Sequence, residues 1–356
     1  MAKISSARGP QGNTQTDGLT SVSQATRPWL SVFDLLKRFL VLREGSIVVV
    51  TAATMLYFVL SVHHAVAVNN LKNLLPYFAP YAILAAGQVF VMTLGEIDLS
   101  IGSVYLFVPF VWHSLCGPLP TGLALVAALI VGLIIGAING FFIAYVGIAS
   151  FVVTLGMLFF LSGLTLVISH ATQITTPGTS LVSTSKFDSV FGAGSFAEVL
   201  WAAGIVIVLQ ILLSRTRWGL YTVAVGGNKT AAAESGIHVR KVILRNFILC
   251  AFFAALTGIF EAIRVGTVNP DPSGSAQTLF QAVSAVIIGG TLMTGGEGTV
   301  VGALVGALFL GVLNEGLVLN GVSSDYQDLY LGLAIVLAMV INVYIQRIRK
   351  RSGRAG

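Results

Sequence analysis

Ten long apolar stretches separated by short polar joins dominate the chain. They fall at about 45–65, 72–94, 99–116, 121–146, 149–169, 195–213, 243–263, 277–294, 298–320 and 327–346. A bilayer core is about 30 Å thick, so a spanning helix needs roughly 20 mostly apolar residues. Each stretch therefore reads as a transmembrane helix, the third and eighth being the shortest signals. Some joins, such as Gly117–Pro120 and Gly147–Ile148, leave no room for a domain between helices. The pattern predicts an all-α polytopic membrane protein of about ten transmembrane helices.

Residues 1–44 break the pattern. They are polar, with Gly, Ser, Thr and Gln clustered before Pro28, and lack the features of a cleaved signal peptide. They read as an N-terminal tail ending in an interfacial amphipathic stretch, Trp29 to Leu42. The expected organisation is this tail, a transmembrane body at 45–346 interrupted by a loop at 214–242, and a basic C-terminal tail at 347–356.

Composition strengthens the membrane reading. Of 356 residues, 55% are hydrophobic and 10% charged, against about 25% charged in soluble domains. Mean hydropathy is +0.89. This excludes a disordered chain, a disulfide scaffold and a soluble enzyme with a membrane tail. Cys116 and Cys250 have no partner at useful spacing, and the five histidines show no ligand pattern, so no metal is expected.

Charge then sets orientation. Seventeen of the 20 basic residues fall in the N-terminal tail, the 214–242 loop with the residues just beyond it, and the C-terminus; Lys72, Lys186 and Arg264 fall elsewhere. With ten spans the three basic segments share one side. The positive-inside rule makes that side cytoplasmic, termini included. The net charge of +6 then needs no nucleic-acid partner.

Small residues recur every four positions at Gly132, Gly136 and Gly140, and at Gly298, Gly302 and Gly306. Such tracks let neighbouring backbones approach. Ordinary helix packing and a sliding surface are both compatible with them.

Two polar breaks interrupt the apolar runs. The first is Gly95-Glu96-Ile97-Asp98-Leu99-Ser100-Ile101-Gly102-Ser103. Polar, glycine-broken backbone at membrane depth is tolerated where it is buried or lines a cavity. Gly95, Glu96, Asp98, Ser100, Gly102 and Ser103 are thus candidates for a translocation path. A tight turn at the water boundary gives the same pattern, with Asp98 capping a helix that begins at Leu99. The second break runs from Gly289 to Gly298 with a similar layout, as an internal duplication would give. Asn139, Gln281, Asn314 and Glu315 add intramembrane polarity or interhelical hydrogen bonds.

The loop carries Gly226-Gly227-Asn228-Lys229-Thr230-Ala231-Ala232-Ala233-Glu234-Ser235-Gly236-Ile237. It is not a phosphate loop, because Val223 and Asn228 stand where that motif needs glycine. It predicts a short helix, Thr230 to Glu234, ended by Gly236. A small exposed helix between spans suits docking of a partner.

These segments resemble the permease subunits of bacterial monosaccharide ABC importers of the ribose, xylose and arabinose type. The first break resembles a Gly-Gly-x-Asp-Leu-Ser-x-Gly-Ser pattern, with Glu96 replacing the second glycine. The loop matches Gly-Gly-Asn-x-x-Ala-Ala-x-x-Ser-Gly-Ile from Gly226 to Ile237. Trp218-Gly219-Leu220-Tyr221 and the run Gly289 to Gly316 also fit, and the likeness covers about 45–346. The resemblance implies a multi-pass permease in a bacterial inner membrane that is not itself an enzyme. It implies a second permease subunit, identical or related, and an extracytoplasmic substrate-binding protein that delivers the solute. It also implies a cytoplasmic ATPase docked on Gly226, Gly227, Asn228, Ala231, Ala232, Ser235 and Gly236. No cofactor is expected in this chain; ATP and magnesium would belong to the ATPase. The competing reading is a proton-coupled secondary transporter that uses Glu96 or Asp98 as a relay.

Overall fold

A computed structural model describes residues 45–61, 68–176 and 197–352. The N-terminal tail with its amphipathic stretch lies outside them, as do Lys186 and residues 353–356.

The described chain is helical almost throughout. Its helices are α1 (Gly45–Ser61), α2 (Val68–Thr93), α3 (Ile101–Leu115), α4 (Thr121–Phe141), α5 (Ser150–Ser169), α6 (Ala197–Arg215), α7 (Arg217–Gly227), α8 (Lys229–Glu234), α9 (Val239–Val265), α10 (Pro272–Ile288), α11 (Val300–Leu319) and α12 (Ser324–Ser352). The strands β1 (Ile174–Thr175) and β2 (Thr267–Val268) form one antiparallel pair.

Each of the ten expected stretches holds a helix. Among the described residues, five elements are long and apolar enough to cross a membrane: α4 with its extension, α5, α6, α9 and α11. Gly45–Ser61, Tyr77–Thr93 and Ile101–Leu115 are shorter apolar helices. The eighth stretch is shifted: α10 starts at Pro272 and stops at Ile288, because Gly289 and Gly290 end it before 294. Pro272 suits a first helical turn, where its missing N–H is no loss, and Asp271 caps that turn by accepting from Ser273 N–H. The last helix continues to Ser352, so much of the basic C-terminal segment extends α12.

The side-chain pattern of α4 is that of a lipid-facing helix. Ala124, Ala128, Gly132, Gly136 and Gly140 are buried, while Leu123, Val126, Ile130 and Ile134 are about half exposed. Large apolar side chains turned outward along a whole helix have no stable place in water. The helix ends in a π-helical turn, Phe142–Val146, stopped by Gly147 in the left-handed region (φ 84°).

The centre is α9, which packs on α2, α3 and α4. The first glycine track faces it. A Cβ at Gly136 would stand 2.7 Å from both Ala251 Cβ and Phe247 O, so only glycine admits this approach. The second track brings α11 against α10: a Cβ at Gly306 would collide with the Ala285 carbonyl.

Candidate functional site

The loop motif folds into two short helices whose placement follows from local chemistry. Thr216 caps α7 by accepting from Trp218 N–H. Trp218 then ties α7 to the start of α9: its Nε1–H donates to Asn246 Oδ1 at 2.6 Å, and Asn246 Nδ2 donates to Thr222 Oγ1 at 3.0 Å. The Arg245 guanidinium lies 4.7 Å above the Trp218 ring and donates to the Trp218 carbonyl at 2.8 Å.

Next comes α8, the expected small helix, begun one residue earlier at Lys229. Asn228 caps it, Oδ1 accepting from Ala231 N–H at 3.0 Å. Ser235 Oγ–H donates to the Ala231 carbonyl at 2.9 Å. Gly236, at φ 83°, closes the end. Only Ala232 of this helix is buried; Lys229, Thr230, Ala231, Ala233, Glu234, Ser235 and Gly236 are exposed. A helix this short has little intrinsic stability, so its caps and the Ala232 anchor hold it in place.

Both polar breaks meet the foot of this loop. A Cβ at Gly226 would collide with the Thr93 carbonyl. A Cβ at Gly295 would stand 2.7 Å from Gly95 N and 2.8 Å from Gly226 O. Gly296 N–H donates to the Thr93 carbonyl at 2.9 Å. Three segments distant in sequence therefore touch backbone to backbone, which bulkier residues would prevent. Glu96 completes the junction through an ion pair with Lys229 Nζ at 2.5 Å.

The residues singled out in the first break thus separate. Gly95 and Glu96 lie at the loop junction. Asp98, Ser100, Gly102 and Ser103 are buried inside the subunit. Asp98 Oδ1 accepts from Ser100 N–H at 2.9 Å and from Ser100 Oγ–H at 2.6 Å. Asn139 Nδ2 of α4 donates to Ser100 Oγ at 2.9 Å. Asp98 tightens the turn before α3, which begins at Ile101 rather than Leu99. Gly102 lies where a Cβ would collide with the Ser275 carbonyl of α10, and Ser103 Oγ–H donates to the Ser100 carbonyl. Ile97 N–H donates to Ser150 Oγ of α5 at 3.2 Å. The turn is hydrogen-bonded to both α4 and α5.

A second polar region, which the sequence pattern did not single out, lies at the far end of α9 from the loop. Twenty-seven residues at 1.5 Å each put the ends of α9 about 40 Å apart. Here a cavity of about 240 Å³ is lined by Tyr105, Glu261, Asn269, Asp271, Ser275 and Thr278, among others. The β1–β2 pair braces its rim, and Thr176 Oγ1–H donates to the Ala262 carbonyl. Arg264 binds the Glu261 carboxylate and stands 3.3 Å from Glu198 Oε2, so the acids do not face one another uncompensated. Most of the lining comes from one stretch, Gly258 to Thr278, which covers the end of α9, β2, the turn after it and the start of α10, while α3 adds Tyr105, Leu106 and Pro109 from across the fold. Among the described residues no cluster of His, Cys, Asp and Glu suited to a metal is present.

The family model described as "Branched-chain amino acid transport system / permease component" matches residues 70–339. The chain belongs to this permease family. The ribose import permease protein RbsC of Escherichia coli K12 is 37% identical over 280 residues, covering 77% of this chain and 86% of the relative. The xylose/arabinose import permease protein XylH of Sulfolobus acidocaldarius is 30% identical over 328 residues, covering 89% and 88%. The probable ABC transporter permease protein YphD of Escherichia coli K12 is 32% identical over 320 residues, covering 88% and 92%. No solved structure matches significantly. The permease is a polytopic helical membrane protein, as its motifs and helices implied.

Proposed function

We propose that this permease is the membrane subunit of an ATP-driven importer for a monosaccharide or polyol. An extracytoplasmic binding protein delivers the solute, and a cytoplasmic ATPase drives alternating access. The observation that carries this reading is the exposed, doubly capped α8, seated on a backbone junction, in a chain 37% identical to a ribose import permease. The exposed Gly227, Asn228, Ala231, Ser235 and Gly236 form the ATPase dock, and Gly226 and Ala232 seat it on the rest of the chain. A second permease subunit completes the pore, and both termini face the cytoplasm of a bacterial inner membrane.

The cavity beside α9 supports a small polar cargo. Carboxylate, amide and hydroxyl groups supply both donors and acceptors for a polyol. Asp98, Ser100, Gly102 and Ser103 shape the path from behind by fixing the turn that aims α3, which carries Tyr105 to that cavity. Kinship with ABC-type permeases and the engagement of Glu96 by Lys229 do not favour a proton relay.

Reconstitution with the co-purified ATPase and binding protein tests the proposal. Uptake of radiolabelled pentoses and hexoses is expected only with ATP inside the vesicles. Uptake by the permease alone under a proton gradient contradicts it.

A further inference from the structure

We propose that Glu96 and Lys229 are a positioning pair that transmits movement of α8 to the turn between α2 and α3, and through it to α4 and α5. The inference rests on the importer reading above and names the first link of its coupling.

The geometry is continuous. Lys229 is the first residue of α8, the most exposed helix of the loop, and its side chain is 49% exposed. Glu96 lies in the turn beneath and is 14% exposed. Beyond Glu96 the contacts run inward without a gap. Ile97 bonds to Ser150 through its N–H, and its carbonyl accepts from Thr154 Oγ1 at 3.4 Å, both on α5. Asp98 holds Ser100, and Ser100 is bonded to Asn139 on α4. The backbone contacts of Gly95, Gly226 and Gly295 form a pivot beside this chain of bonds. At the pivot, close glycine packing is held by one hydrogen bond, Gly296 N–H to the Thr93 carbonyl, which joins the second break to the end of α2 and does not involve α8. The ion pair can both push and pull, because its two ends sit on separate elements.

Stability is not the role that suits such a pair. Exposed ion pairs are worth little to folding. A contact between two elements that shift relative to each other acts on their relative position instead, and a coupling role demands direct evidence of coupling.

The test uses the purified permease–ATPase complex in nanodiscs. Hydrogen exchange of residues 94–100 and 150–154 is followed with and without a non-hydrolysable ATP analogue, so cargo identity does not matter. In the native complex the analogue is expected to change exchange in both segments. E96Q and K229Q are each expected to reduce that response by about fivefold, the upper range for an exposed pair, while the ATPase stays bound. The E96Q/K229Q double variant is expected to be no worse than either single change, since both remove one interaction. The charge swap E96K/K229E is expected to restore the response to within about twofold of native. A full response in the single variants, additive losses in the double neutral variant, or a folded swap variant without restoration overturns the proposal. Absence of any co-purifying ATPase with the native chain overturns the importer reading itself, and the inference with it.

Discussion

Asp98 is a carboxylate with no exposed surface, and among the described residues no cation pairs with it. Its burial is tolerable because Oδ1 takes two hydrogen bonds from Ser100, and Asn139 extends the network to α4. Oδ2 makes no hydrogen bond to the described residues, so the site is only partly satisfied. Asp98→Ala is expected to cost about 1–3 kcal/mol, because two buried donors lose their acceptor. Asp98→Asn keeps one acceptor oxygen and is expected to cost less. Thermal unfolding in detergent, followed by gel filtration, checks the order. The residue types at the first break were legible as intramembrane polarity. Their division between an outward Glu96 and an inward Asp98 was not, since two positions apart in an irregular turn fixes no face.

At the level of elements, α8 and its neighbours carry the argument. The sequence motif located α8 to within one residue, because the capping Asn228, the alanines and Gly236 are all local signals. That Gly226 meets Thr93 and Gly296 was not legible, since those contacts join positions over 100 and about 70 residues apart in sequence. Ser235→Arg puts a bulky cation on the exposed face of α8. It is expected to weaken ATPase co-purification at least tenfold with no change in thermal stability, because Ser235 is exposed and its hydrogen bond is confined to its own helix. Gly136→Leu is a contrasting case. It forces side-chain atoms into Phe247 O and Ala251 Cβ, so overpacking of α4 on α9 is expected to cost about 1–3 kcal/mol or more. Lower detergent melting temperature and reduced membrane yield read that loss.

Across the whole molecule, hydropathy gave the fold class and put a helix in each apolar stretch, because a bilayer demands apolar helices with internally satisfied backbones; the count of ten spans does not follow, since among the described residues five helices reach spanning length and apolarity. It could not give the cavity at the far end of α9, whose lining comes from residues that look ordinary in sequence. The two polar regions at opposite ends of one central helix fit a protein that takes energy on one face and solute on the other. Cysteine accessibility probes that polarity. In right-side-out vesicles, Asn269→Cys is expected to react with a membrane-impermeant maleimide, while Ser235→Cys reacts only after the membrane is opened.

The most direct measurement is affinity purification of the tagged permease from its native membrane, with partners identified by mass and stoichiometry. An ATPase subunit retained by the native chain and lost in Ser235→Arg is the predicted result. A permease that purifies without an ATPase, and still moves solute when only an ion gradient is imposed, would contradict the account.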